Sequence, residues 1–370
     1  MSTTEIEMFG DKEVRWYQIA ACNGVASALE QSVSRILIES PTGSGKTITI
    51  AFTLGNDRIR AALGITDDRP LRVLFAAHKH RLLTQAERTF ADSINVEIIP
   101  QSIFSEISQE TLNAGWDLTV LDEAHHESCS SFQYQLEKLG NAPIIGMTAT
   151  SDRADGCLIK FEVIINPLSR EQAVAEGWLA ETNLNTIVDT PAKDKTEVTK
   201  MIIDEFGHEF GQTMMFFRTK REVTTITNYL NDKGYKAIAV LNMSEKDLDE
   251  TLDAFSAGEY QFILNCNKIN EGVDVANCTD VYLGRQFGSY PQLNQVIGRA
   301  ARPDSECNIW ELINPLSSRN LDTTVVVGTP ATHRLISKKR GEWIQQVFDY
   351  TTTKLALWTN NQPVTETFTG

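Results

Sequence analysis

The segment Ile36-Leu37-Ile38-Glu39 runs directly into Ser40-Pro41-Thr42-Gly43-Ser44-Gly45-Lys46-Thr47, and an apolar helical stretch follows. A short buried strand, a glycine-bearing turn and a helix in that order leave few architectures open. The turn lies at the carboxyl end of the strand, where open α/β sheets hold their ligands. Its glycines let backbone N–H groups turn inward, and the helix start adds the positive end of its dipole. A concavity built from Thr42, Gly43, Ser44 and Gly45 fits the β- and γ-phosphates of a nucleotide. Lys46 would neutralise phosphate charge and the Thr47 hydroxyl would face Mg2+. Ser40 stands where the general pattern has its first glycine. The string occurs once, so one ATP is expected, bound by the first half of the chain.

The rest of the chain repeats the strand–helix pattern without that loop. Short apolar runs fall at Arg35–Glu39, Leu71–Ala77, Val96–Pro100, Leu118–Leu121, Ile144–Met147, Thr213–Phe217, Ala237–Leu241, Phe262–Asn265, Asp280–Leu283 and Ile309–Ile313. Most are continuously apolar, as strands of a parallel sheet are when both faces are covered. Helical stretches such as Arg81–Ala91, Arg221–Lys233 and Glu245–Ala257 lie between them. The expected fold is α/β, two tandem domains with parallel sheets. A polar interruption from Thr182 to Lys200 sets the boundaries: domain one at 1–165, a linker at 166–182, domain two at 183–330 and a C-terminal tail at 331–370. The tail carries Lys338-Lys339-Arg340 and Trp343 and is expected to be helical. It reads as a solvated basic face docked by the tryptophan, or as a contact for nucleic acid.

A length of 370 residues suits two domains. No apolar run approaches the ~18 residues that span a bilayer, so no membrane partner is expected. The acidic start Met1-Ser2-Thr3-Thr4-Glu5-Ile6-Glu7 is unlike a secretory signal. Cys22, Cys129, Cys157, Cys266, Cys278 and Cys307 form no C-x-x-C pair and keep no zinc-ligand spacing with histidines. They read as reduced thiols of a cytoplasmic protein, from a bacterial or phage-infected cell. The formal net charge of −15 opposes wholesale attraction to nucleic acid. A local groove of hydroxyls, amides and backbone N–H groups can still hold a phosphodiester backbone, with weak and salt-sensitive binding.

Thr119-Val120-Leu121 ends in Asp122-Glu123-Ala124-His125. Carboxylates at the mouth of a parallel sheet beside a phosphate loop suit two tasks. Asp122 would hold Mg2+ through its water shell, and Glu123 would orient and deprotonate an attacking water. His125 reads as a polar link toward the second domain and His126 as its surface neighbour. The strand Ile144–Met147 ends in Thr148-Ala149-Thr150, whose hydroxyls can bond the acidic turn and transmit its state. In Gln295-Val296-Ile297-Gly298-Arg299-Ala300-Ala301-Arg302 the two arginines stand three apart and would share one helical face. Opposite an ATP they become candidate arginine fingers, Arg299 and Arg302, acting when the domains close.

Together these strings resemble the superfamily 2 helicases, from Arg15 to about Ile313 and in the family's order. The likeness implies two RecA-like domains with one ATP site in the cleft between them. Ser40–Thr47 resembles motif I, Asp122–His125 motif II in its DEAH spelling, Thr148–Thr150 motif III and Gln295–Arg302 motif VI. Arg15-Trp16-Tyr17-Gln18 resembles the upstream Q-motif, which implies that Gln18 reads adenine and that Arg15 or Tyr17 stacks nearby. Ala76-Ala77-His78-Lys79 resembles motif Ia, Gln101-Ser102-Ile103 a later strand-contact element, and Phe216-Phe217-Arg218-Thr219 motif IV. On this likeness Lys79, Gln101, Ser102, Arg218 and Thr219 are nucleic-acid contacts. Glu271-Gly272-Val273-Asp274 resembles motif V, with Gly272 and Asp274 facing ATP or the arginines.

The stretches Gly146–Gly156 and Leu168–Ala173, followed by Gly177-Trp178-Leu179, narrow the likeness. They resemble the branch of phage recombination helicases, XPB-like helicases and type III restriction motor subunits, which implies DNA and commonly 3′-to-5′ tracking. Cys266 departs from the pattern where many relatives have threonine, and Lys79 where relatives often have arginine. Three readings follow: a monomeric ATP-dependent DNA helicase or branch remodeller, an RNA helicase, and a motor subunit that translocates without separating strands while a partner protein supplies specificity.

Overall fold

The computed structural model describes residues 8–9, 12–77, 95–103, 105–124, 142–149, 160–188, 194–266, 277–302, 305–314, 321–339, 341–348, 357–359 and 362–364. The expected helix Arg81–Ala91, Lys79, His125, Thr150 and the whole Glu271–Asp274 string lie outside these residues. Two compact units divide between Ala173 and Val174.

Unit one begins with a two-residue antiparallel pair, β1 (Met8–Phe9) and β2 (Lys12–Glu13). Its main sheet contains β3 (Arg35–Glu39), β4 (Leu71–Ala77), β5 (Val96–Ser102), β6 (Leu118–Leu121), β7 (Ile144–Thr148) and β8 (Val163–Ile165). All are parallel, in the order β5-β4-β6-β7-β3-β8. The continuous apolar runs are explained by burial on both faces. Ile36 and Ile38 join Val25, Leu29, Ile50 and Leu54 of the helices Trp16–Glu30 and Lys46–Leu54, while Leu37 joins Leu74, Leu121 and Ile144 on the opposite side. Each fully buried side chain of this size contributes about 1.5–3 kcal/mol.

Unit two repeats the design with β9 (Thr182–Val188), β10 (Thr213–Phe216), β11 (Ala237–Val240), β12 (Phe262–Asn265), β13 (Asp280–Leu283) and β14 (Cys307–Ile313). With β15 (Thr332–Lys339) and β16 (Glu342–Phe348) they form one sheet ordered β11-β12-β10-β13-β14-β9-β15-β16. Met214 and Phe216 face Leu252, Phe255 and Val296; Met215 and Phe217 face Ile202, Phe206, Ile226 and Leu230. The helix Lys220–Asp232 opens on a reciprocal cap, in which Thr219 accepts from the Glu222 N–H and Glu222 accepts from the Thr219 N–H.

The units divide inside 166–182, the stretch expected as linker, which carries the helix Arg170–Ala175 and buries Leu168, Ala173, Leu179 and Ala180. Two expectations need correction. The polar stretch starting at Thr182 opens with an inner strand of the second sheet, β9, flanked by β14 and β15. Its polar residues are buried or half-buried because neighbours satisfy them: Asn183, half-buried, donates from Nδ2 to Asn308 Oδ1 at 3.0 Å, and the buried Asn185 accepts at Oδ1 from Arg334 Nε at 2.7 Å. Among its described residues the tail forms two antiparallel strand pairs, β15 with β16 and β17 (Leu357–Thr359) with β18 (Gln362–Val364), instead of the expected helix. Gly341, at φ 91°, makes the turn that a Cβ would strain, and Ile336 is fully buried on β15, between β9 and β16. Trp343 does dock this segment, edge-on to Phe206 with centroids 5.3 Å apart, and Lys338 Nζ lies 4.9 Å from the Trp343 ring across the pair.

Two buried carboxyls of unit two differ in what holds them. Asp280 accepts from Trp310 Nε1 at 2.9 Å, from the Gly211 N–H at 3.2 Å and from Thr279 Oγ1 at 2.7 Å. The indole and the amide can only donate. Glu311 accepts from the hydroxyls of Thr186, at 2.6 Å, and Thr323. Hydroxyls can reverse, so an amide is tolerated there. Asp280→Asn is therefore expected to lose about 1–3 kcal/mol of unfolding free energy, and Glu311→Gln markedly less, by denaturant titration at neutral pH. Burial pushes the Glu311 carboxyl above its ordinary value of 4.5. A carboxyl raised in the fold stabilises most when protonated, so its contribution is complete below that value and is lost as pH rises through the folded one. His333, which burial pushes the other way, is present in both proteins. The wild-type-minus-Glu311→Gln difference in unfolding free energy should fall as pH rises from about 4.5 toward neutrality; a flat difference would show that Glu311 does not titrate in this way.

Candidate nucleotide site

β3 delivers the chain to Ser40, whose N–H donates to the Thr148 carbonyl at 3.0 Å and extends the β3–β7 ladder by one bond. The chain then turns through Gly43 at φ 89° and Gly45 at φ 82°, and the helix Lys46–Leu54 starts at once. Both conformations are strained for a residue with a Cβ. At Gly45 a Cβ would also lie 3.3 Å from Gln18 Nε2. The Ser44 N–H donates to the Pro41 carbonyl at 3.2 Å, and Lys46 Nζ lies 3.5 Å from the Ser40 carbonyl oxygen. Three hydroxyls of the loop, Ser40 Oγ, Thr42 Oγ1 and Ser44 Oγ, are buried with no hydrogen-bond partner among the described residues. Thr47 is half-buried in the first helical turn.

The carboxylate turn follows β6, which is separated from β3 by β7 alone. At ~4.8 Å per strand spacing, the two strand ends stand roughly 10 Å apart. That separation leaves room for phosphates against the loop, and Thr47 and Asp122 are the residues that would hold a Mg2+ ion there. The Asp122 N–H donates to the Ala76 carbonyl at 3.0 Å, and the Glu123 N–H to Asp122 Oδ1 at 3.0 Å. Glu123 adopts φ 51°, a left-handed conformation that costs a non-glycine residue about 1–2 kcal/mol. Strain of this kind concentrates at functional sites. Ala124 is fully buried, and a Cβ added at Gly146 would lie 2.9 Å from Ala124 Cβ and 2.5 Å from Phe161. Gly146 thus lets the carboxylate turn settle on β7. Thr148, the last residue of β7, lies between the two loops.

The helix Trp16–Glu30 brings its first residues to the same loop. Gln18 is 3% exposed, and its Oε1 accepts from the Arg15 N–H at 2.9 Å, which caps the helix. Tyr17 is fully buried; its hydroxyl lies 2.7 Å from the Ser44 carbonyl oxygen and 2.9 Å from Arg15 Nη1. The expected stacking role of Tyr17 is thereby corrected. Its ring is enclosed and its hydroxyl is bonded to the loop. A partner 27 residues away in sequence gave no local signal.

In unit two the helix Tyr290–Ile297 ends at Gly298, and Arg299 and Arg302 follow in a turn. The shared helical face expected for them is corrected: three-residue spacing aligns side chains only while the helix continues. Both arginines are half-buried beside the fully buried Ala300 and Ala301. Among the expected nucleic-acid contacts, Gln101 turns its amide inward to the Ser102 and Ser105 carbonyls, at 2.8 and 2.9 Å. Ser102 is half-buried at the end of β5. Arg218 is exposed, and Thr219 caps the helix that follows it. Cys266 Sγ donates to the Arg218 carbonyl at 3.0 Å, so the substituted cysteine still fastens this turn. Lys79, Gly272 and Asp274 lie outside the described residues. No helix among the described residues is long and apolar enough to cross a membrane.

Residues 11–99 match the family described as type III restriction enzyme, res subunit, and residues 194–304 the helicase conserved C-terminal domain. A Saccharomyces cerevisiae protein named provisionally as the ATP-dependent helicase IRC3 is 23% identical, over 85% of this chain and 53% of its own length. The DNA 3′-5′ translocase XPB2 of Sulfurisphaera tokodaii is 22% identical over 55% of this chain and 60% of its own. The chain thus spans about half the length of the curated relatives it matches. Its fold resembles a fragment provisionally assigned to the HsdR subunit of a type I restriction enzyme from Vibrio vulnificus YJ016. The TM-score is 0.68 at 23% identity, over 89% of this chain and 70% of that one. With both family matches in order and a parallel α/β sheet in each unit, the chain belongs to the superfamily 2 helicases.

Proposed function

We propose that the chain hydrolyses ATP and couples turnover to movement along DNA. The observation that carries this reading is the loop Ser40–Gly45: two left-handed glycines, three buried hydroxyls without a partner among the described residues and a helix start, one strand removed from a carboxylate turn. In this scheme the loop's N–H groups and Lys46 hold the phosphates. Thr47 and Asp122 hold Mg2+, which offsets charge on the transferred phosphoryl group. Glu123 orients the attacking water and takes its proton. Gln18 reads the adenine edge, with Arg15 beside it. Arg299 and Arg302 of unit two, with Gly272 and Asp274, complete the site when the units close on the nucleotide, and this closure makes turnover mechanical. Lys79, Gln101, Ser102, Arg218 and Thr219 are assigned to the nucleic-acid groove. Gln101 and Thr219 would contribute mainly by shaping its loops.

DNA is preferred because XPB2 is named as a DNA translocase and the HsdR fragment belongs to a restriction enzyme. The same names favour a second reading, a translocating motor whose partner supplies specificity and which separates no strands. RNA is the remaining substrate class. ATPase rates on single-stranded, duplex and forked DNA and on RNA, paired with strand displacement on duplexes with 3′ or 5′ overhangs, decide among them. Stimulation by DNA with a displaced strand supports the helicase reading, stimulation without displacement the translocase, and stimulation by RNA alone overturns both.

Lys46→Ala and Glu123→Gln are each expected to abolish nucleic-acid-stimulated hydrolysis; ordinary turnover in either removes the site assignment. Arg299→Ala and Arg302→Ala are expected to lower kcat by about 10³-fold or more while ATP binding changes only a few-fold. An equal loss in binding would make them ground-state contacts instead of fingers.

A further inference from the structure

Tyr17 lies where a base contact is expected, yet its hydroxyl reaches the other end of the nucleotide site. Arg15 Nη1 stands 2.9 Å from the Tyr17 oxygen, and that oxygen stands 2.7 Å from the Ser44 carbonyl. The proton order in this chain is fixed by chemistry. A guanidinium only donates and a carbonyl only accepts, so Tyr17 accepts from Arg15 and gives its one hydrogen to Ser44. The Ser44–Gly45 peptide is planar and trans, so its N–H points opposite to its C=O. Fastening the Ser44 carbonyl from the Tyr17 side aims the Gly45 N–H the other way. A phosphate loop requires that outcome, because any N–H turned outward is lost to the anion. Gly45, at φ 82°, is a glycine free to adopt other conformations, so this peptide gains from an external hold. The Ser44 hydroxyl remains buried and without a partner while its carbonyl is held.

We infer that Tyr17 is a positioning residue that presets the phosphate loop, with Arg15 fixing the direction of its hydroxyl. The inference rests on the ATP reading above and deepens it. Tyr17 acts on the phosphates through the loop backbone, not on the base. Tyr17→Phe keeps the enclosed ring and removes only the hydroxyl, leaving the Ser44 carbonyl without its donor.

The test compares full-length wild type and Tyr17→Phe by calorimetric titration with ATP and with inorganic tripolyphosphate, each with Mg2+. Tripolyphosphate carries the phosphates and no base. The expected result is a loss of about 10-fold or more for both ligands, of similar size, well below a melting temperature that the variant shares with wild type to within a few degrees. Loss for ATP with tripolyphosphate unchanged would assign Tyr17 to the base and overturn the inference. Unchanged affinity for both would overturn it as well, and a lowered melting temperature with normal tripolyphosphate binding would reduce Tyr17 to a core residue. Wild type that binds neither ligand would instead sink the underlying ATP reading. The Lys46→Ala protein, expected to lose both ligands, marks the difference.

Discussion

Parallel pairing among β3, β7 and β6 is the constraint on which the candidate site depends. Strands that run in one direction end at one edge, so whatever follows each of them is gathered there. The register places Glu39 beside Thr148 and Leu121 beside Gly146, so the phosphate loop and carboxylate turn leave the same end of the sheet, offset by two residues along β7. One intervening strand sets their spacing. A wider gap would put Asp122 beyond the reach of a metal at Thr47, and direct adjacency would leave no room for phosphates.

That edge is held by small residues and backbone bonds together with Tyr17, whose hydroxyl fastens the Ser44 carbonyl. Gly146 admits Ala124, Gly45 lies against Gln18, and the Ser40 N–H bonds to Thr148. The loops therefore follow the sheet and cannot shift independently without losing a backbone bond or forcing a clash. Glu123 carries the local strain this imposes. Unit two uses another device at its centre: a set of buried and half-buried Asn, Thr, Glu, Asp and Arg side chains that bond across β9, β13, β14 and β15. Such a network stabilises only when every member is satisfied, which makes it selective for one register.

Much of the fold was legible because its strands are buried on two faces. Arg35–Glu39, Leu71–Ala77, Leu118–Leu121, Phe262–Asn265 and Asp280–Leu283 have the bounds their apolar runs indicate. The failures share a cause. β9 reads as polar because its side chains are satisfied by residues more than 120 positions away, and β15 and the edge strand β16 bury only Ile336 between them. At the site, the phosphate loop was evident as a contiguous string. The arginine turn was misread because Gly298 ends a helix that the spacing alone would continue.

The sequence by itself determined the chemistry within each contiguous stretch: which continuously apolar runs form strands, where a loop can cradle an anion, and which carboxylates stand at a strand's end. These depend on neighbours a few residues apart, through backbone conformation and alternation of faces. Only the tertiary structure decided that β7 lies between β3 and β6, that a polar stretch is an inner strand, and that Tyr17 fastens Ser44. Those choices depend on partners brought together by folding, and no local pattern carries the identity of a distant hydrogen-bond partner.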